Sequence, residues 1–85
     1  MEIKLTILEY SDQGLQLEWE EGFEIKTAII NGDIVISANK AGLISLARHM
    51  LTLAQDVVPV GHHLHFDEFN CLEEDSSELI IERRC

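Results

Sequence analysis

Apolar and polar residues alternate through most of this chain, and the alternation breaks once. From Glu2 to Tyr10, Ile3, Leu5 and Ile7 fall on one side of an extended backbone, and Lys4, Thr6, Leu8 and Tyr10 on the other. Ser11-Asp12-Gln13-Gly14 is a turn-forming cluster. Leu15, Leu17 and Trp19 then alternate with Gln16, Glu18 and Glu20, and Glu20-Glu21-Gly22 reads as a short hairpin loop. Phe23 to Ile30 predicts a third strand, with Phe23, Ile25, Thr27 and Ile29 on one face. Asn31-Gly32 is the strongest hairpin signal in the chain, because a type I′ turn needs positive φ at both central residues. Asp33 to Ser37 returns as the fourth strand. Tight loops between successive strands predict an antiparallel meander.

The period changes at Ser37 to Gln55. Leu43, Leu46, Ala47, Met50 and Ala54 recur at three-and-four spacing, and Ile44, Leu51 and Leu53 widen the stripe. Asn39 or Ser37 suits the N-cap, since a short side-chain oxygen accepts an orphan amide of the first turn. Arg48 and His49 lie in the second half, where positive charge suits the helix dipole. Pro59, in Asp56 to Gly61, ends the helical stretch. His62 to Phe66 predicts a fifth strand, Asp67 to Ser76 an irregular acidic loop and Ser77 to Glu82 a sixth strand, before a frayed tail at Arg83 to Cys85. The expected fold is α+β in one domain, residues 1–85: a mostly antiparallel sheet with one helix packed on one face. The sheet comprises a four-stranded N-terminal meander and two C-terminal strands. Leu8, Tyr10, Val35 and Ile80 are expected on the uncovered face, where a cluster would invite a homodimer.

Charge adds a constraint. Six Lys and Arg stand against 16 Asp and Glu, a net charge of −10, and no Lys or Arg occurs between Arg48 and Arg83. Such a field repels nucleic acid and anionic membranes and speeds encounter with a basic partner, although solubility alone also accounts for it. The N-terminus has no basic region followed by an apolar run, and no segment approaches the about 20 apolar residues of a membrane span. A cytoplasmic protein is expected, with Cys71 and Cys85 as reduced thiols.

Candidate chemistry is sparse. In an extended strand His63, His65 and Asp67 share a face, and two imidazoles with a carboxylate can hold zinc or iron. Surface histidines paired with acids are the plainer account. No phosphate-cradling glycine loop, paired-histidine helix motif or paired-cysteine motif is present. Neither an enzyme nor a cofactor is expected. The acidic loop stands apart, because Asp67, Glu68, Glu73, Glu74 and Asp75 interleave with Phe69, Cys71 and Leu72. Phe69 and Leu72 either tuck into the core or form an apolar anchor ringed by charge, which suits a protein partner.

Three segments together resemble the immunity protein 32 family of bacterial polymorphic toxin systems. They are the helix start at Asn39, Gly42 and Leu43; the strand carrying Gly61, His62, His65 and Asp67; and the ending at Leu72, Glu73, Ser76, Glu78, Leu79 and Ile80. The resemblance runs from about Ile34 to Glu82. It implies a non-enzymatic protein that binds and neutralises a cognate toxin without a cofactor. It does not point to the binding face. The acidic balance would suit a basic target such as a nuclease. On charge and apolar content, Asp67, Glu68, Phe69, Glu73, Glu74 and Asp75 are the expected partner-binding residues. A metal-binding domain or small hydrolase built on His63, His65 and Asp67, and a homo-oligomeric structural domain, are the competing readings.

Overall fold

The computed structural model describes every residue, Met1–Cys85. Four strands and one helix follow in the order β1 (Ile25–Ile30), β2 (Asp33–Ala38), α1 (Lys40–Leu53), β3 (His63–Phe66) and β4 (Leu79–Glu82). They form two separate antiparallel pairs, β1 with β2 and β3 with β4, rather than the single larger sheet expected. The class is α+β, as the alternation predicted.

The β1–β2 hairpin forms where its turn chemistry demands. Asn31 and Gly32 both take positive φ, 52° and 83°, which the two-residue turn requires. Pairing then runs from Ile30 opposite Asp33 to Ile25 opposite Ala38. The outer edge of β1 is stitched to the segment before β4. The Ile25 carbonyl accepts the Glu73 amide at 2.9 Å, and the Thr27 carbonyl accepts the Ser77 amide at 3.0 Å. The Thr27 amide donates to Ser76 Oγ, and its hydroxyl donates to the Ser77 carbonyl. The acidic connection is thereby tied into the body of the protein.

The first 20 residues form no strand, which corrects the expected N-terminal half of the meander. Leu15, Leu17 and Trp19 pack against the core as their alternation requires, but in the first segment Tyr10 does so while Ile3, Leu5 and Ile7 do not, and Ile3 is exposed. The backbone of this stretch is met by side chains on and just past the helix instead of by a strand. Gln55 accepts from the Tyr10 amide at 3.1 Å and donates to the Leu8 carbonyl at 3.0 Å. Ser45 Oγ accepts from the Glu20 amide at 2.8 Å. Amides met by side chains do not need a ladder neighbour. Leu8 and Tyr10 therefore share no sheet face with Val35 or Ile80, and those two belong to different sheets.

Asn39 is the N-cap, and its Oδ1 accepts from Gly42 at 2.8 Å and from Glu24 at 3.0 Å. The buried helix face is Gly42, Ser45, Leu46, His49, Thr52 and Leu53. Leu43, Met50 and Leu51 are exposed, so the wholly apolar stripe expected is not the one that packs. Two overlapping stripes share one helical period, and close approach to β1 selects the one with small residues. A Cβ at Gly42 would lie 2.5 Å from the Glu24 carbonyl oxygen and 2.9 Å from Ile25 Cγ1. Two polar members of the face have partners: Ser45 accepts from Glu20, and Thr52 Oγ1 donates to the Arg48 carbonyl at 2.9 Å. His49 has none, since both its ring nitrogens are buried without a hydrogen bond.

His49 lies fully buried among aromatic rings, T-shaped against Trp19 at 4.3 Å and 6.0 Å from Phe66. Burial, reinforced by Arg48, lowers its pKa to about 4, so it is neutral at pH 7. It supplies no charge to the helix dipole, contrary to expectation. That task falls to Arg83, whose guanidinium donates to the Leu53 and Gln55 carbonyls at 3.0 and 2.8 Å. Backbone bonds from Arg83 to His62 and from Gly61 to Arg83 extend the β3–β4 pairing. The tail expected to fray is thus fixed through Arg83. The core comprises Ile25, Leu46, Leu53, Val58, Leu64, Phe66 and Leu72, each side chain contributing on the order of 1.5–3 kcal/mol.

Candidate partner-binding site

The loop between β3 and β4 is built on Asp67. Leu64 and Phe66 bury one face of β3, and His63 and His65 are exposed on the other. Chain direction then changes at Asp67, whose Oδ1 accepts the amides of Phe69 and Asn70 at 2.9 and 3.1 Å. Asn70 returns the contact: its Oδ1 accepts the Asp67 amide at 2.9 Å, and its Nδ2 donates to the His65 carbonyl at 2.9 Å. Short polar side chains bonding nearby backbone is what makes Asp and Asn turn residues. Glu68 closes the far side by accepting the Asp75 amide at 2.8 Å.

The two apolar residues of this loop have opposite fates. Leu72 is buried in the core, whereas Phe69 is 90% exposed. Loop anchoring thus belongs to Leu72. Cys71 also packs against the core, and burial, with Asp67 beside it, raises its pKa to about 11. A thiol held protonated is a poor nucleophile. Glu73, Glu74 and Asp75 are exposed. Next to the loop an open groove is lined by Leu17, Trp19, Phe23, His65, Asn70 and Cys71. Six expected residues, Asp67, Glu68, Phe69, Glu73, Glu74 and Asp75, therefore sit on one hydrogen-bonded loop, but Asp67 and Glu68 hold its backbone.

The histidine strand divides. His65 Nε2 lies 3.9 Å from Asp67 Oδ2 and 3.6 Å from Glu78 Oε2. These three residues offer ligand atoms within 4.8 Å of one another. His63 lies outside this group and contacts the Gly61 carbonyl at 3.3 Å. The expected His63–His65–Asp67 set is replaced by His65–Asp67–Glu78, because the β3–β4 pairing brings the start of β4 beside His65. Glu78 was invisible as a candidate in sequence. The His65 and Glu78 side chains are 45% and 68% exposed. Such groups lose entropy on being ordered, and the arrangement acts as an ion-pair cluster when His65 is protonated.

With this geometry in hand, comparison with known proteins is decisive at the family level. The immunity protein 32 profile matches residues 33–84, more than half of the chain. The chain belongs to the immunity protein 32 family. No curated protein and no solved structure matches it significantly. The region matched to immunity protein 32 runs from the start of β2 through α1, β3 and the acidic loop to β4. It includes Asn39 at the helix cap, Gly42 at the close approach, and the Asp67–Asn70 turn. No helix is long and apolar enough to cross a membrane.

Proposed function

We propose that this immunity protein neutralises a cognate toxin by direct binding in the cytoplasm, without turnover, and that the Asp67–Asp75 loop is its principal contact surface. Phe69 carries the proposal: a 90% exposed aromatic ring on a backbone fixed by side-chain hydrogen bonds. Burying that ring against a partner requires little ordering of the loop, which favours affinity. Glu73, Glu74 and Asp75 supply negative charge on the same connection, suited to a basic toxin surface such as that of a nuclease. The apolar groove past Trp19 and Phe23 offers adjoining area.

The test begins with the toxin recovered on the tagged protein from its native organism. Lysine replacements at Glu73 and Glu74, combined with Asp75→Asn, which tolerates the positive φ of 68° there, leave the loop's backbone bonds in place, because none of these side chains makes one. They should slow association with a basic toxin about tenfold at low salt, the deficit shrinking as salt rises. Phe69→Ala should mainly speed dissociation. Unchanged rates in both variants would remove this surface while leaving family membership intact.

A further inference from the structure

Three strand edges of the fold are guarded, and the fourth is open. The outer edge of β1 is bonded to residues 73–77, and that of β3 receives Asn70 at the His65 carbonyl. Exposed Ile80 in β4 has acids on either side, at Glu78 just before the strand and at Glu82. The edge of β2 has no such cover. The register makes Ile30 and Asp33 the bonded pair that closes the turn, so Ile29 with Ile34 and Thr27 with Ile36 are non-bonded pairs. Consistent with this, Ile25 and Thr27 aim their backbone groups away from β2. The backbone groups of Ile34 and Ile36 must then aim away from β1, and neither residue makes a hydrogen bond in that direction. Their side chains are exposed too, Ile34 at 77% and its neighbour Ile29 at 68%. Open apolar edges of this kind are what folded proteins ordinarily avoid.

We propose that a second copy of this chain pairs antiparallel along β2, about a twofold axis at Val35. The sequence around Val35 is self-complementary in that register. Ile34 faces Ile36 of the second copy, and Asp33 faces Ser37, so no acid meets an acid. Ile34 and Ile36 supply the outward backbone groups, so their pairing is the hydrogen-bonded kind. Ile29 and Ile34 of one copy then continue a row into Ile36 and Thr27 of the other, and a four-stranded sheet results.

Charge selects a second copy over other occupants. Two chains of net charge −10 repel over most of their surfaces. From Ile25 to Leu43 the charged residues are Lys26, Asp33 and Lys40, so this stretch is the one least disfavoured by self-association. With two lysines and one acid, it also offers a basic toxin no net negative charge. None of these residues lies in the Asp67–Asp75 loop, so this dimer and the loop assignment stand or fall separately.

Sedimentation velocity of the whole chain, from low to high micromolar concentration, tests the dimer. A monomer–dimer equilibrium is expected that tightens with added salt, because screening reduces the net repulsion. Ile34→Lys sits at a position largely exposed in the single chain and should leave the melting temperature unchanged at dilutions where the chain is monomeric. It should weaken the dimer at least about tenfold by opposing charge and lost apolar pairing, while Phe69→Ala leaves it unchanged. Hydrogen exchange at the Ile34 and Ile36 amides should slow as concentration rises. A monomer throughout the range, or a dimer indifferent to Ile34→Lys, overturns the proposal. Protection of those amides only on adding the toxin would assign the edge to the toxin and overturn it as well.

Discussion

Asp67 and Asn70 hold each other's backbone. Each side-chain oxygen accepts the other's amide, at 3.1 Å from Asn70 to Asp67 Oδ1 and 2.9 Å from Asp67 to Asn70 Oδ1. Asn70→Ala removes one half of this exchange together with the bond to the His65 carbonyl. It should cost about 1–2 kcal/mol in urea unfolding and speed hydrogen exchange at Asp67. Phe69→Ala, one residue away but largely exposed, should cost less than about 0.5 kcal/mol. Equal losses in the two variants would mean that the loop is not fixed by this pair.

The packing of α1 on β1 depends on the missing side chain at Gly42. Alanine is the better helix former by about 1 kcal/mol, and on a free helix it would stabilise. Here its Cβ would meet the Glu24 carbonyl oxygen at 2.5 Å, and a backbone atom cannot rotate away as a flexible side chain can. Gly42→Ala should therefore destabilise by about 1–3 kcal/mol. A higher melting temperature in that variant would show that the helix can shift freely.

His49 should make stability fall with acid. Its folded pKa of about 4 lies below the usual 6.5, so the unfolded chain takes up its proton first. Its contribution is fully present above pH 6.5, is lost as pH falls toward 4, and changes no further below that. The linked loss is up to about 3 kcal/mol. His49→Phe keeps an aromatic ring against Trp19 and should show a shallower decline over this window, read by denaturant unfolding at successive pH values. Parallel profiles would mean that His49 is hydrated in the fold.

The two thiols should separate by reactivity. Cys71 is partly covered and held protonated by burial, with a pKa near 11, whereas Cys85 is exposed at the chain end. A thiol reagent at pH 8 should label Cys85 quickly and Cys71 only slowly, with both labelled rapidly after unfolding. Rapid native labelling at Cys71, located by peptide mapping, would contradict its placement against the core.

Legibility in the sequence followed the range of the interaction. The Asn31-Gly32 hairpin, the Asn39 cap and the alternation of Leu64 and Phe66 with His63 and His65 were all readable, because each rests on local sterics or on residues a few positions apart. The acidic loop is readable as a unit, with Phe69 and Leu72 among its apolar residues. Which of the two anchors it is not, since burial depends on what lies opposite. Glu78 joins His65 and Asp67 only through the β3–β4 register, which brings together residues more than ten positions apart.

What the sequence by itself determined is the α+β class, the central hairpin, the single helix, the acidic balance and the family. These follow from turn geometry, periodicity, composition and segment pattern. Only the tertiary structure decided that Glu2–Tyr10 and Leu15–Trp19 form no strands, Gln55 meeting the backbone of Leu8 and Tyr10 and Ser45 the amide of Glu20. It also decided that α1 buries Gly42, Ser45 and His49 in preference to Leu43, Met50 and Leu51. The physical reason is the same in both cases. Alternation and helical period say which side chains share a face, but the partner that covers that face, and the distance it can approach, are set by residues distant in the chain.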